Sequence, residues 1–171
     1  LRIREPPRLN LFPYTTLFRS RTGKHAISLD DREFLEQFNS NRIEPGSFNH
    51  REHLRLAYTL LVLHEPRAAY LRFRESLQAF LRHHSIDPAK YHETMTQAWM
   101  LAVAHFMEIS PPHASAQAFI DANPVLLDSK IMLTHYSSEV IRSDQARKQF
   151  VEPDMEPIPR HGRQPVDGAD E

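Results

Sequence analysis

The chain of 171 residues contains no cysteine and only four glycines. Without cysteine it forms no disulfide, no thiolate metal site and no cysteine nucleophile. The glycines are Gly23, Gly46, Gly162 and Gly168, so residues 47–161 contain none. This excludes glycine-dependent hairpin turns and glycine-rich phosphate loops from that long stretch. Proline separates the predicted elements instead.

Long apolar runs and a strong net charge are also missing. The longest unbroken apolar run, residues 98–104, is far shorter than the ~20 residues that a membrane helix needs. The formal net charge is −1, which gives no general attraction to nucleic acid or to an anionic membrane. We therefore expect a soluble, cytoplasmic protein without a nucleic-acid or membrane partner. The sequence leaves the oligomeric state open.

The two ends of the chain differ from its middle. Residues 1–24 carry six basic side chains against one acidic one, and residues 11–22 resemble the translated sequencing-adapter read-through found at the ends of some metagenomic reading frames. The resemblance implies that residues 1–24 are a non-native or disordered segment. A basic presequence is the alternative, although three prolines interrupt any helix there. Residues 155–171 are rich in proline and charge, which predicts a disordered tail after a single domain of residues 25–154.

Within this domain, apolar residues recur at helical spacing between the prolines, and no stretch alternates as a strand does. The pattern predicts helices over about 30–39, 49–64, 66–84, 88–109, 115–122, 125–135 and 138–150. We therefore predict an all-α fold, an irregular up-down bundle of five to seven helices. The helix over 88–109 is predicted to be central because residues 98–104 are apolar all round.

Three histidines stand at the starts of two of these helices. His50 and His53 are spaced i, i+3 and project from one helix face, and His92 begins the next helix but one. Short connections make neighbouring helices antiparallel, which brings both helix starts to one end of the bundle. A helix N-terminus disfavours imidazolium, and neutral imidazole is the form that binds metal. The spacing therefore predicts a divalent transition metal, zinc or iron, on His50, His53 and His92.

Neighbouring residues supply the chemistry for such a site. Glu93 is the candidate for handling a proton, and Tyr91 is the candidate hydrogen-bond donor to a bound ligand, so both are predicted to be catalytic. Asp121 is a further candidate ligand or acceptor for an imidazole N–H. The favoured interpretation is a metal-dependent enzyme of hydrolase, lyase or oxygenase type that acts on a small organic molecule.

Two other interpretations remain open. One is a non-catalytic helical binding or interaction module in which the histidines are caps and boundary residues. The other is a polar pocket without a metal. Met95 and Trp99 lie on the helix face that His92 begins, so they either pack in the core or line a pocket whose polar floor is the histidine cluster.

Two motifs carry a resemblance to a protein family. They are F-x-H-x-x-H, at Phe48, His50 and His53, and K-Y-H-E-T over residues 90–94. Together with the stretch 135–154, they resemble a family of small bacterial all-helical proteins. The resemblance implies that the histidines belong to a site, and it names no reaction.

Overall fold

A computed structural model describes residues 25–161, and every regular element in that part of the chain is helical. The prediction of an all-α fold is therefore confirmed. The predicted N-terminal segment 1–24 and the last ten residues of the predicted tail lie outside the described residues. Seven α-helices are present over residues 25–161: α1 Leu29–Asn39, α2 His50–Leu63, α3 Pro66–His83, α4 Glu93–Ile109, α5 Ala116–Ala122, α6 Ser138–Ile141 and α7 Asp144–Lys148.

Three of the four short 3₁₀ helices within residues 25–161 lie where longer helices were predicted. Pro88–Lys90 is a separate turn, so α4 begins later than predicted, and the predicted helix over 125–135 is two turns, Pro124–Leu127 and Ser129–Thr134. The fourth is Pro45–Ser47. The predicted helix over 138–150 is divided into α6 and α7. Ser143 causes that division, because its side chain accepts a hydrogen bond from the amide of Ala146 and starts a new helix there.

The central helix is α2, and the prediction that the helix over 88–109 is central was wrong. Helix α2 packs against α1, α3, α4 and α5. Its residues from Leu56 to Val62 are all buried, whereas Leu101 and Ala104 of α4 are only half-buried. A two-residue connection joins α2 to α3, and these two helices pack along each other. The N-terminal turn of α2 thereby lies beside the C-terminal half of α3.

Two helices, α1 and α3, are followed by non-glycine residues with positive φ. Asn41, after α1, has a φ of 56°, and Ser85, after α3, has a φ of 53°. Asparagine tolerates this left-handed conformation better than most residues do. The chain therefore turns sharply after α1 and after α3 without the residue that usually makes such turns.

The folded domain continues beyond the predicted boundary at residue 154. Ile158 is buried in the core, and the amide of Met155 donates a hydrogen bond to the carbonyl of His135 at 3.0 Å. The prediction of a disordered tail from residue 155 was therefore wrong for its first residues. Burial of one apolar side chain anchors this short segment.

Two buried polar residues fasten the N-terminal part of the domain. The Asp31 carboxylate accepts hydrogen bonds from the amides of Ser28 and Ala116, both at 3.0 Å, and from Arg55 Nε at 3.0 Å. The His25 ring donates from Nε2 to the Met107 carbonyl at 2.8 Å and accepts at Nδ1 from the His113 amide at 3.2 Å. These contacts tie α1, α2, α4 and the start of α5 together.

No helix within residues 25–161 combines the length and the apolar character needed to cross a membrane.

Candidate functional site

A cavity of about 770 Å³ opens between α2, α3 and α4. Its wall is mainly carbon, from side chains that include Phe48, Leu54, Phe73, Leu77, Phe80 and Trp99. The polar part of the wall comes mainly from the starts of α2 and α4, with Ser129 added by the turn Ser129–Thr134. The structure places all three predicted histidines, His50, His53 and His92, in this wall.

His50, the first residue of α2, is tied to the C-terminal half of the chain. Its Nε2 lies 2.8 Å from the carbonyl oxygen of Leu126. Since a carbonyl only accepts, Nε2 carries the proton and the neutral ring leaves Nδ1 bare. The ring edge also meets Trp99, with 4.6 Å between ring centroids. His50 therefore positions the turn Pro124–Leu127 and keeps one acceptor nitrogen.

His53 lies one turn further along α2 and is held by its own helix. Its Nδ1 donates to the Asn49 carbonyl at 2.8 Å, so its Nε2 is the bare nitrogen of the neutral ring. The ring stacks on Phe48, with 4.0 Å between ring centroids. Burial lowers the pKa of His53, and the nearby His50 lowers it further against the opposing effect of the Asn49 carbonyl. His53 is therefore neutral at pH 7 and accepts at Nε2.

His92 precedes α4 as its N-cap, and both of its ring nitrogens are used. Nδ1 accepts from the amide of Met95 at 3.2 Å, and Nε2 donates to the carbonyl of Ile141 at 2.8 Å. The first bond caps α4 and the second holds the end of α6. His92 thus fits the interpretation of a capping residue, and no ring lone pair of the neutral form remains for a ligand.

The predicted three-histidine metal centre is not assembled in this geometry. Residues 25–161 contain no group of three or more His, Cys, Asp or Glu side chains placed to hold one ion. A metal–nitrogen bond of ~2.0–2.1 Å needs a lone pair directed at the ion, and His92 has none free. His50 and His53 each keep one bare nitrogen, which is too few for the predicted ligand set. The metal therefore stays a prediction from the sequence.

Substitution of His92 by alanine tests its role as a cap. We expect the free energy of unfolding to fall by about 1–3 kcal/mol, because the α4 cap and the bond to Ile141 are both lost. The zinc and iron content, measured by plasma mass spectrometry on protein purified without metal-affinity resin, is expected to stay unchanged and far below one equivalent. His83→Ala, on an exposed residue, is the control. About one equivalent of metal that disappears in His92→Ala would instead establish the metal-dependent interpretation.

The two predicted catalytic residues, Tyr91 and Glu93, contact each other. Tyr91 contributes to the cavity wall, and its hydroxyl donates to Glu93 Oε2 at 2.8 Å. Glu93 lies behind that wall, where its other oxygen accepts from Tyr70 and Arg74 Nε lies 3.2 Å from Oε2. Burial raises the pKa of the Glu93 carboxyl. Glu93 is not among the residues that line the cavity, although it contacts Tyr91, which does, so its predicted proton-handling role stays a prediction.

Asp121 takes no part in the cavity. Its carboxylate forms a surface ion pair with Arg51, with 2.6 Å between Oδ1 and Nη2. The candidate ligand role of Asp121 therefore has no support from its position.

Sequence reasoning missed what α3 adds to the site. Phe73 and Phe80 form much of the apolar wall, and Tyr70 and Arg74 hold Glu93. The signal was present, because Tyr70, Phe73, Leu77 and Phe80 follow the helical period on one face of α3. Nothing local to α3 indicated that this face meets the histidines.

Comparisons with known proteins give no relative for this chain: no family model, no curated protein and no solved structure matches it. The resemblance to a family of small bacterial helical proteins is left as a prediction from its motifs.

Proposed function

We propose that this protein binds a small, mainly apolar organic molecule in the cavity between α2, α3 and α4. The observation that carries the proposal is the combination of a volume of about 770 Å³, a largely carbon wall and imidazoles at the starts of α2 and α4. Ligand sites in proteins typically enclose ~300–1,000 Å³ and combine an apolar lining with a few polar groups that fix orientation. This proposal develops the binding-module interpretation.

The packing around the cavity supports a ligand site over a packing gap. Phe73 and Phe80 are 2% and 4% exposed and belong to the main core, yet both also border the opening. Protein interiors are packed so closely that voids larger than a water molecule are few. An opening of this size beside a well-packed core leaves apolar surface that a bound molecule would remove from water.

The metal-dependent enzyme remains the second candidate, and the resemblance of the two histidine motifs is what favours it. It requires His92 to release the Met95 amide, which frees the lone pair of Nδ1, because Nε2 carries the proton that it donates to Ile141. Binding of an organic molecule requires no such rearrangement. The metal measurement on His92→Ala separates the two candidates.

Filling the cavity tests the proposal. Leu81 lines the cavity and is half-buried, whereas Leu71 on the same helix is 45% exposed and does not line it. We expect Leu81→Trp to weaken binding of 1-methoxynaphthalene at least ~10-fold, a change of about 1.4 kcal/mol, because indole occupies the volume that the probe needs. Leu71→Trp is expected to leave binding unchanged. Equilibrium dialysis gives both dissociation constants.

Two outcomes would contradict the proposal. The cavity is not a ligand site if neither 1-methoxynaphthalene nor 1-naphthol, a second aromatic probe, binds saturably. The same conclusion follows if both tryptophan variants weaken binding to the same extent. Unfolding curves for the two variants check that each remains folded at the temperature of dialysis.

A further inference from the structure

Resting on the proposed function, we infer that the occupant is a neutral aromatic molecule that carries an O–H or N–H group and donates it to His53 Nε2, with His50 Nδ1 as the second acceptor. This names a ligand class that the shape of the cavity alone does not specify. It follows from the tautomers of two histidines, from the rings beside them and from the distribution of charge.

The tautomers are determined by backbone carbonyls. The Leu126 carbonyl accepts a hydrogen bond from His50 Nε2–H, and the Asn49 carbonyl accepts one from His53 Nδ1–H. Each neutral ring therefore has a remaining nitrogen that accepts and does not donate. Neither nitrogen bonds to another group within residues 25–161, and neither is among the fully buried polar atoms that lack a partner. Both are thus acceptors without a partner in the described part of the chain, and both belong to residues of the cavity wall.

The other polar groups of the α4 start are already engaged. His92 uses both ring nitrogens, and the Tyr91 hydroxyl donates to Glu93. The Thr96 hydroxyl donates to the His92 carbonyl at 2.8 Å. A ligand that offers only acceptors would therefore leave the two bare imidazole nitrogens unpaired when it displaces water. A ligand with a donor satisfies at least one of them, which is the better match.

Aromatic rings flank both acceptors. His53 is stacked on Phe48, and Phe48 lies 5.2 Å from Phe80 between ring centroids. His50 meets Trp99 at 4.6 Å. Offset and edge-to-face contacts between rings stabilise aromatic pairs beyond simple burial. A flat aromatic ligand therefore uses the wall better than a branched aliphatic one of equal volume.

A carboxylate matches these acceptors poorly. It offers no proton to the two bare imidazole nitrogens, and their lone pairs repel its negative charge. The cation in the wall, Lys90, has an exposed side chain, which water solvates. A neutral donor such as a phenol-type hydroxyl or a ring N–H meets neither difficulty.

A set of matched probes tests the inference by equilibrium dialysis at about pH 7.5, a unit above the ordinary imidazole pKa of ~6.5. 1-Naphthol carries a donor, 1-methoxynaphthalene replaces it with a methyl ether, and 1-naphthoate carries a charge. We expect the protein to bind 1-naphthol about 3- to 10-fold more tightly than 1-methoxynaphthalene, the gain typical of one net hydrogen bond. 1-Naphthoate is expected to bind more weakly than 1-naphthol.

Variants assign this preference to the histidines. His53→Phe keeps a ring to stack on Phe48 but removes the acceptor, so the preference is expected to fall to between about 1- and 2-fold, with binding of 1-methoxynaphthalene retained. His53→Gln, which keeps a donor and an acceptor, is expected to retain part of the preference and also serves if His53→Phe fails to fold. His50→Phe reports the second acceptor, and His83→Phe on the exposed end of α3 is the control.

The outcomes separate this inference from the proposed function. Equal binding of 1-naphthol and 1-methoxynaphthalene overturns the inference while leaving the binding function intact. A preference that survives in His53→Phe, His50→Phe and their combination also overturns it, and tighter binding of 1-naphthoate indicates an anion site at Lys90 instead. Failure of all three probes to bind contradicts the proposed function itself.

Discussion

Replacing Asp31 by alanine is expected to lower the free energy of unfolding by about 3–5 kcal/mol, because three donors lose the carboxylate and an unpaired donor costs about 1–3 kcal/mol. Asp31 is 1% exposed, and its carboxylate joins three parts of the chain. Truncation leaves the amides of Ser28 and Ala116 without their acceptor and Arg55 without its Nε partner. Domains of this size are stable by only ~5–15 kcal/mol, so the loss is a large share of the total.

The neighbouring residue supplies the control for this prediction. Asp30 stands in the same first turn of α1 but is exposed, so Asp30→Ala is expected to cost no more than about 0.5 kcal/mol. Urea denaturation followed by circular dichroism measures both variants. Equal effects of the two substitutions would show that the Asp31 contacts contribute little.

The Asp31 carboxylate also predicts that the stability of the fold depends on pH in the acid range. Burial alone raises the pKa of Asp31, but hydrogen bonds from Ala116, Ser28 and Arg55 outweigh it and hold the pKa below its ordinary value. A carboxyl with a lowered folded pKa stabilises the fold above its unfolded pKa of ~3.9 and loses that contribution as the pH falls further. The excess stability of the wild type over Asp31→Ala is therefore expected to shrink below about pH 4.

Replacing His25 by phenylalanine is expected to cost about 3 kcal/mol at pH 7.5, since two buried backbone groups lose their partner at about 1–3 kcal/mol each. His25 is 1% exposed and lies between the Met107 carbonyl and the His113 amide. Phenylalanine keeps the ring and its contacts with Tyr58 and Phe119 but restores neither hydrogen bond.

His25 also makes the fold sensitive to mild acid. Burial lowers its pKa, and His113 lowers it further, against opposing effects of the Met107 carbonyl and Glu108. The unfolded chain therefore binds more protons than the folded one below the unfolded pKa of ~6.5. The contribution of His25 to the free energy of unfolding is fully present above that pH and is lost as the pH falls below it.

The measurement compares urea midpoints at about pH 7.5 and pH 5.5, on either side of the unfolded histidine pKa. The wild-type midpoint is expected to fall with pH, and the fall is expected to be smaller in His25→Phe, because phenylalanine does not titrate. Burial lowers the pKa of His53, His64 and His105 as well, so part of the dependence will remain. If the urea midpoint falls equally with pH in the wild type and in His25→Phe, His25 does not contribute to the pH dependence.

The sequence was sufficient for the helices whose boundaries are marked by local chemistry. Asn49 caps α2 through the Glu52 amide, Pro66 begins α3 and Ser115 caps α5, all at the predicted places. Asn49 and Glu52 have the spacing of a capping box, but only the Asn49 half forms, because the Glu52 side chain lies 3.8 Å from Arg55 instead. After residue 122, closely spaced caps divide the chain into short turns that an apolar period does not reveal.

The sequence predicts a common location for the three histidines but not their hydrogen bonds. His50, His53 and His92 all lie in the wall of one cavity, and their convergence on a single ion stays a prediction. The carbonyl that engages His50 lies 76 residues further along the chain, and the one that engages His92 lies 49 residues further. These partners belong to short turns whose placement depends on tertiary packing, so no local pattern shows which ring nitrogens remain free.

Trp99 gives the protein an internal optical reporter. It is the sole tryptophan of all 171 residues, and it stands in the wall of the cavity with its ring against His50. Fluorescence emission excited at the red edge of indole absorption therefore comes from this cavity and from no other part of the molecule. A change in the wavelength or lifetime of that emission would follow occupancy of the cavity in the unmodified chain, without any attached dye.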